Sequence, residues 1–304
     1  MRRRLIGRLV FALVLAVIAF AGVYVLTDLA PGDPLDEPRS VKSLDDQRRQ
    51  LGLDRPLLVR LTDHMARLAV LDLGRSVKYD QPVLTLLVPR VATTLQAGFA
   101  ALLLALSIGV PAGVLASRSS SRLVRHGIAG ASIILLSIPP LVVALLLAVI
   151  GTSGGLPAFA VMVTSLAVPA AALIERLQAR ALDGVQHERC LDAARARGIP
   201  RRVITWRHAW PLSVPAVLGL AGTIAGQLLS GALAVELVTS QSGLGRLTVD
   251  ALHARDLDVA AGCAGTVALI VGLVAFSADV VQVWMDPRVA MLDDEASPSN
   301  GGAR

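Results

Sequence analysis

The charged residues between positions 188 and 211 are the part of this chain best suited to bind another molecule. Six arginines fall in this segment, and long apolar runs lie on either side of it. Guanidinium groups bind carboxylates through paired hydrogen bonds. Gly198 and Pro200 predict a helix stop, so we expect a hairpin of two short helices, at about residues 188–197 and 201–209.

Small side chains in the first of these helices bear on what the hairpin does. Ala193, Ala194 and Ala196 would let the helix come close to a partner surface. A partner that grips such a hairpin could move the spans on either side of it. The residues alone leave two interpretations open: a docking lever of this kind, and a basic amphipathic loop resting on anionic lipid.

Motifs for ATP binding and for hydrolysis are missing from the sequence. Its only lysines are Lys42 and Lys78, and neither follows the Gly-rich turn of a P-loop, which needs a lysine to hold phosphates. There is no His-Glu-x-x-His zinc-peptidase motif, and Gly151-Thr152-Ser153-Gly154 is not a nucleophile elbow. We therefore predict no catalysis by this chain and no ATPase site in it.

Four ionisable residues lie in or beside apolar runs, where a charge is costly and often functional. They are Glu175, Arg176, Glu236 and Asp279. Position near an interface, or pairing with a neighbouring helix, accounts for each of them, whereas a proton relay needs charges deeper in the bilayer. An ion-gradient-driven secondary transporter remains the alternative from another class.

The composition places these residues in a polytopic membrane protein. Of the 304 residues, 54% are hydrophobic and 17% are charged, against about 25% charged in typical soluble domains. The net charge of +6 comes from arginines that lie mostly beside apolar runs, which favours the positive-inside rule over a nucleic-acid surface. Cys190 and Cys263 have no neighbours suited to a zinc site, and their positions argue against a disulfide.

The fold class predicted is all-α and polytopic, with six transmembrane helices and both termini in the cytoplasm. A span needs about 20 apolar residues. The first run is too long for a signal peptide and predicts an uncleaved span. A Gly-rich break at residues 151–157 divides the third span from the fourth, and Ser137-Ile138-Pro139-Pro140 is expected to kink the third. The predicted spans are residues 9–29, 91–117, about 127–150, about 158–174, 213–238 and 259–285.

We divide the chain into four parts on this basis. Residues 1–29 form the N-terminal segment with the first span, and residues 30–90 form an extracytoplasmic helical region. Residues 91–285 form the transmembrane core that carries the hairpin, and residues 286–304 form a cytoplasmic tail of disorder-prone composition. Two roles stay open for the outer region: a cover for the spans, or part of a docking surface for a substrate-delivering protein.

The outer region contains two predicted short helices. Ser43-Leu44-Asp45-Asp46 has the pattern of a capping box, and Gly52 is placed to close the helix that it starts. A second helix follows Pro56, since apolar residues recur there at helical spacing. Those residues are Leu57, Leu61, Met65 and Leu68.

A set of short motifs resembles one family of membrane proteins. Asp192-Ala193-Ala194-x-x-x-Gly198, followed by His208-x-Trp210-Pro211, is similar to the EAA loop of ABC-importer permeases. The order of the other motifs resembles the dipeptide/oligopeptide permeases, first-subunit type, a family that also includes nickel and glutathione importers. These motifs are Pro31-Gly32-Asp33-Pro34, Leu51-Gly52-Leu53-Asp54-Arg55-Pro56, Leu73-Gly74-x-Ser76, Ala194-Arg195-Ala196-Arg197-Gly198, Arg207-His208-Ala209, Gly243-Leu244-Gly245-Arg246 and Asp286-Pro287-Arg288.

The resemblance implies a type I ABC-importer permease fold in the bacterial cytoplasmic membrane. It also implies a second homologous permease subunit, two cytoplasmic ATPase subunits that bind ATP and Mg²⁺, and an extracytoplasmic substrate-binding protein, with no cofactor in this chain. Gly243, Gly245 and Arg246 would belong to the outer-gate or binding-protein region. The ATPase-coupling loop would use Asp192, Ala193, Ala194, Arg195, Arg197, Gly198, Arg201 and Pro211.

Di- or oligopeptides are the cargo that the resemblance implies. The chain departs from the family pattern at Cys190-Leu191-Asp192, at Pro140-Leu141-Val142 and in its short loop at residues 151–157. The last two differences lie towards the pathway and the outer face, so they bear on the substrate. A nickel chelate, glutathione or another small solute is the alternative cargo.

Overall fold

The computed structural model of the chain describes residues 2–29, 57–68, 70 and 72–285. Regular structure in these residues is helical, apart from one isolated bridge between Arg75 and Pro82. The Pro31–Pro34 and Leu51–Pro56 motifs, the capping box at Ser43 and the tail from Asp286 lie outside the described residues.

The helices are numbered here in chain order. They are α1 (Arg2–Leu29), α2 (Leu57–Leu68), α3 (Val83–Arg118), α4 (Arg122–Ser137), α5 (Pro140–Gly154), α6 (Ala158–Gly184), α7 (Arg189–Ala196), α8 (Arg201–Val203), a π-helical turn (Ile204–Ala209), α9 (Trp210–Leu218), α10 (Ala221–Val238), α11 (Leu244–His253) and α12 (Leu257–Met285).

Five of these helices are long and apolar enough to cross a membrane, namely α1, α3, α6, α10 and α12. A sixth span exists if α4 and the start of α5 are taken together, but this pair is bent by 91°. The bend lies at the predicted kink, Ser137-Ile138-Pro139-Pro140. Proline lacks an N–H and clashes with the preceding turn, so two in succession end α4 and begin α5 instead of only bending one helix.

Several helices differ in extent from the predicted spans. Helix α3 begins at Val83, eight positions before the predicted second span, and α6 continues to Gly184, ten positions beyond the fourth. Ala, Arg, Gln and Leu dominate that extension and are strong helix formers, which explains why α6 continues past the apolar run. The predicted fifth span is divided at Gly219 and Leu220 into α9 and α10.

The core of the bundle is the contact between α3 and α6. A buried residue with a small side chain recurs at every fourth position of α3, as Ala97, Ala101, Ala105, Gly109 and Gly113. This spacing puts all five on one helix face. Small-xxx-small patterns let membrane helices approach closely, because packing drives their association where lipid replaces water.

The two glycines mark the closest approach of these helices. A Cβ added to Gly109 would lie 2.6 Å from the carbonyl oxygen of Ala171, and one added to Gly113 would lie 2.6 Å from that of Glu175. From the sequence alone, Gly109, Pro111 and Gly113 predict a bend near the end of the second span. The structure instead runs one α-helix through all three positions and uses the glycines for contact with α6.

Helix α1 packs along α12, and α2 covers both on the outer side. The Arg8 Nε atom lies 3.4 Å from Asp279 Oδ2 near their cytoplasmic ends, so the predicted pairing of Asp279 with a neighbouring helix is confirmed. The helix predicted after Pro56 is α2. Its apolar residues Leu61, Met65 and Leu68 pack against the buried side chains of Phe20 and Tyr24.

Replacing Gly109 by alanine tests the α3–α6 contact. The new methyl group would press on the α6 backbone, and overpacking of this kind costs roughly 1–3 kcal/mol. We expect Gly109→Ala to lower the unfolding free energy in detergent by that amount. Gly98→Ala is the matched control on the same helix, since a Cβ there meets no atom within 4 Å. Equal stability of the two variants would contradict the close approach.

Candidate functional site

The first half of the segment 188–211 folds as predicted, with a short helix, a turn at Gly198 and the start of a second helix. Helix α7 ends before Gly198, which has a φ of +69°, a conformation that glycine adopts without strain. The Gly198 N–H donates to the carbonyl of Arg195 at 3.0 Å, and Pro200 precedes α8. The predicted helix stop is confirmed.

The second half of the segment differs from the prediction. The second helix was expected to end before Pro211, but α8 continues through the π turn into α9. The Trp210 N–H donates to the Thr205 carbonyl, five residues back. A π turn shifts the hydrogen-bond register by one residue, and here it precedes a proline that has no N–H to donate. The hairpin therefore passes directly into the membrane-embedded part of the chain.

An apolar cluster fixes the hairpin to the ends of two core helices. Leu191 and Ala194 of α7 are buried together with Ile204 of the π turn. They pack with Val114 of α3 and Leu182 of α6 in one cluster. The hairpin is thus seated on the α3–α6 pair.

The small residues of α7 divide between its two faces. Ala194 is 6% exposed and faces the apolar cluster, whereas Ala193 and Ala196 are exposed. The sequence predicts that all three allow a partner surface to approach. Ala194 instead allows α7 to pack against its own chain.

The charged predicted residues also differ in their surroundings. Arg195 Nη1 lies 2.8 Å from Asp192 Oδ1, and Arg195 Nη2 donates to the Gln186 carbonyl at 3.2 Å. Arg197 and Arg201 are exposed and form no ion pair with any described residue. Arg195 therefore braces the hairpin, while the other two arginines point to solvent.

The predicted outer residues are organised around a buried carboxylate. Glu236 of α10 is fully buried, and its Oε2 atom accepts hydrogen bonds from the N–H groups of Gly245 at 2.7 Å and Arg246 at 3.2 Å. Its Oε1 atom accepts from Thr94 Oγ1 at 2.7 Å, and that hydroxyl accepts from the Leu244 N–H at 2.9 Å. The free N–H groups at a helix start favour an anion. Glu236 therefore caps α11, and its predicted pairing with a neighbouring helix is confirmed.

Two glycines make this cap possible. A Cβ on Gly243 would clash with the carboxylate of Glu236, and one on Gly245 would clash with the Leu233 backbone. Both glycines are buried, while Arg246 is half-buried and donates to the Ser240 carbonyl at 3.3 Å. The Gly243-Leu244-Gly245-Arg246 motif thus presses the start of α11 against α10.

A second outer anchor was not predicted. Asp256 is buried just before α12, and its Oδ2 atom accepts from Ser76 Oγ at 2.6 Å and from the Lys78 N–H at 3.1 Å. Burial raises the pKa of this carboxyl above its ordinary value, against the lowering effect of these hydrogen bonds. Gly74 has a φ of +84° and lies where any Cβ would clash with Asp258. The Leu73-Gly74-x-Ser76 motif indicated a turn, but nothing in it pointed to aspartates some 180 residues away.

His64 completes this anchor. Its Nε2 atom lies 2.8 Å from Asp258 Oδ1, its Nδ1 atom lies 2.8 Å from the Arg60 carbonyl, and its ring packs 4.7 Å from that of Tyr24. The hydrogen bond with Asp258 raises the pKa of His64 above its usual 6.5. Helix α2 is thereby tied to α1 and α12.

No metal site accompanies these anchors in the described residues. No group of three or more His, Cys, Asp or Glu side chains there is placed to hold a metal ion. The thiols of Cys190 and Cys263 are both free.

The raised pKa of His64 makes the attachment of α2 depend on pH. A group whose pKa is higher in the folded state contributes stability that is full below the unfolded pKa, about 6.5, and is lost as pH rises through the folded pKa. We expect amide hydrogen exchange in residues 57–68, corrected for intrinsic rates, to be faster at pH 9 than at pH 6. The His64→Gln variant should show no such difference, and a difference that persists in it would assign the effect to another group.

Comparisons with known proteins agree with this architecture. Residues 109–291, more than half of the chain, match the family described as "Binding-protein-dependent transport system inner membrane component". The nickel import system permease protein NikB of Staphylococcus aureus (strain MRSA252) is 27% identical over 298 residues, which cover 94% of this chain and 90% of that protein. A protein of Brucella abortus (strain 2308), provisionally named a peptide transport system permease protein, is 26% identical over 299 residues, which cover 91% of this chain and 94% of that protein.

A solved structure shares the fold. It shows inward-facing conformations of the MetNI methionine ABC transporter, with a TM-score of 0.60 and 21% sequence identity, and the match covers 66% of this chain and 96% of that one. The family match and the apolar helices place the protein in the inner membrane as a multi-pass component. The chain therefore belongs to the family of binding-protein-dependent transport system inner membrane components, the permeases of ABC importers.

Proposed function

We propose that this permease subunit imports di- or oligopeptides, and that its hairpin receives the force generated by separate ATPase subunits. The observation that carries the proposal is that α7 is packed on one face and exposed on the other. One face of α7 is fixed by Leu191 and Ala194 to the ends of α3 and α6. Its other face is exposed and carries charged side chains beside the small residues Ala193 and Ala196, which leave room for a partner surface to approach.

The exposed residues of the hairpin form the proposed ATPase contact. Asp192, Ala193, Arg197, Gly198, Arg201 and Pro211 are exposed. Arg197 and Arg201 offer guanidinium groups for carboxylates of the partner. Ala194 and Arg195 contribute indirectly, since the first seats α7 and the second braces it. ATP and Mg²⁺ would bind only to the ATPase subunits, because this chain carries no P-loop.

The anchored start of α11 forms the proposed contact on the outer side. Gly243 and Gly245 hold α11 against α10, which leaves Arg246 as the accessible member of the motif. A substrate-binding protein would dock near this surface, and a homologous permease would pair with this chain in the bilayer. The assembly proposed is two permeases, two ATPases and one binding protein.

A nickel chelate is the second candidate cargo, and glutathione or another small solute belongs with it. The specific observation is that a relative named for nickel import is as similar to this chain as one named for peptide transport.

The structure gives less support to an ion-gradient-driven carrier. Glu236 caps α11 and Asp279 pairs with Arg8, so both acids have structural partners.

Substitutions at Gly198, where the hairpin turns, test whether the hairpin couples ATP hydrolysis to transport. Valine at a φ of +69° is strained by about 1–3 kcal/mol, although a Cβ there meets no other atom. In the complete complex in liposomes, we expect Gly198→Val to reduce uptake more than tenfold while ATP hydrolysis continues. Gly198→Asn is the matched control, since asparagine tolerates this conformation, and it should retain most uptake. Full uptake by the valine variant would rule out a hinge at this position.

Uptake by cells tests the cargo. Cells that lack this chain should lose import of a labelled tripeptide, and the wild-type chain should restore it, while the Gly198→Val variant should not. Labelled nickel, supplied with and without a chelator such as histidine, serves as the competing substrate. If the wild-type chain restores nickel uptake, and peptide uptake is the same with and without the chain, the second candidate replaces the peptide assignment.

A further inference from the structure

A cavity of about 450 Å³ opens between the ends of α3, α4 and α6. The Arg-rich start of α4 and the Arg-bearing end of α6 place it on the cytoplasmic side, by the positive-inside rule. Its lining carries both signs of charge, from Arg125, Glu175, Arg176, Arg180 and Asp183, and also includes His126. It is separate from the exposed face of the hairpin and from the outer anchors.

Glu175 is the unusual member of this lining. It is 3% exposed, and its Oε2 atom is enclosed and accepts no hydrogen bond from any described residue. Its backbone lies where α3 approaches α6 most closely, opposite Gly113. A buried carboxylate without a partner is costly, so the fold keeps a strong acceptor here that it does not itself satisfy.

The neighbouring arginines do not satisfy it either. Arg125, Arg176 and Arg180 form no ion pair with any described residue, although two acids line the same cavity. Asp183 is already engaged, since it accepts hydrogen bonds from Ser117 Oγ and from Gln186 Nε2. Arg125 and Arg180 are exposed at the rim. The cavity therefore combines a free acceptor at an enclosed position with free guanidinium groups towards the solvent.

We propose that this cavity binds a small zwitterion from the cytoplasmic side, namely a free amino acid or a short peptide. Its ammonium group donates to Glu175, and its carboxylate is held by the arginines. Guanidinium groups favour carboxylates through paired hydrogen bonds, and an ammonium satisfies the lone carboxylate as a simple anion would not. The volume is within the range of about 300–1,000 Å³ that small-molecule sites occupy.

The site does not depend on what the importer carries. Its ligand comes either from the cytoplasmic pool of amino acids or from released peptide cargo, and both sources have the same two end groups. The cavity also adjoins the hairpin, because Gln186 bonds both to Asp183 and, through its carbonyl, to Arg195. A ligand here would therefore lie beside the residues that brace α7.

Binding to the assembled complex in lipid nanodiscs tests the site. The probes are L-alanine and L-alanyl-L-alanine, measured by calorimetry. Analogues that lack one end group, N-acetyl-alanyl-alanine and alanyl-alanine amide, should each bind at least tenfold more weakly than the dipeptide. Tighter binding of the amino acid points to the cytoplasmic pool as the source, and tighter binding of the dipeptide points to cargo.

Substitutions in the cavity lining test whether the dipeptide binds at this site or elsewhere on the complex. Glu175→Gln should weaken dipeptide binding at least tenfold without lowering thermal stability, since it removes an unpaired charge. Arg180→Gln, at the exposed rim, should weaken binding of the dipeptide but not of its amide. Asp80→Asn, which changes an exposed acid outside the cavity, should have no effect.

Two results would overturn the proposal: no binding by a complex that is active in transport, or equal dipeptide binding by the wild type and Glu175→Gln. Uptake is measured separately, so the two proposals can fail independently. Glu175-dependent binding in a complex that does not import peptides would leave the site standing and remove the peptide assignment.

Discussion

The close contact between α3 and α6 is the constraint on which the other features depend. The alanines and glycines along one face of α3 are small, so the backbones of α3 and α6 come close together. No larger residue fits at Gly109 or Gly113. In a bilayer, where apolar side chains gain little from leaving lipid, such packing is a main source of association. The pair is therefore a firm axis on which other elements are mounted.

Both proposed contact surfaces are held by this helix pair, at opposite ends of α3. Thr94 of α3 binds Glu236 and so holds the start of α11 on the outer side. Val114 of α3 belongs to the apolar cluster that seats the hairpin on the inner side. Val114 follows Thr94 by twenty positions, a rise of about 30 Å at 1.5 Å per residue, which is about the thickness of the hydrocarbon core. Helix α3 thus connects the proposed ATPase contact and the proposed outer contact without a flexible link.

Local signals were predictable from the sequence, and long-range partners were not. The positions of the long apolar helices and the Gly198-x-Pro200 stop depend on neighbouring residues, and both appear in the structure, although several helices begin or end away from the predicted bounds. The cap that Glu236 provides for α11 and the bond between Ser76 and Asp256 join residues far apart in the chain. A single sequence holds no record of such pairs. The same limit explains why Gly109 and Gly113 suggested a bend, since their real partner is the backbone of another helix.

The acidic residues near the bilayer differ in whether they have a partner within the chain. Glu236, Asp256, Asp258 and Asp279 each have a partner within the chain, in a neighbouring helix or, for Asp256, in the turn before α3. A ligand would have to compete with that partner for the carboxylate. Glu175 is nearly as buried as Glu236, but its Oε2 atom accepts no hydrogen bond from any described residue. Arg125, Arg176 and Arg180 line the same cavity without pairing with this carboxylate, so a ligand that carries its own cation is the group that we propose to satisfy it.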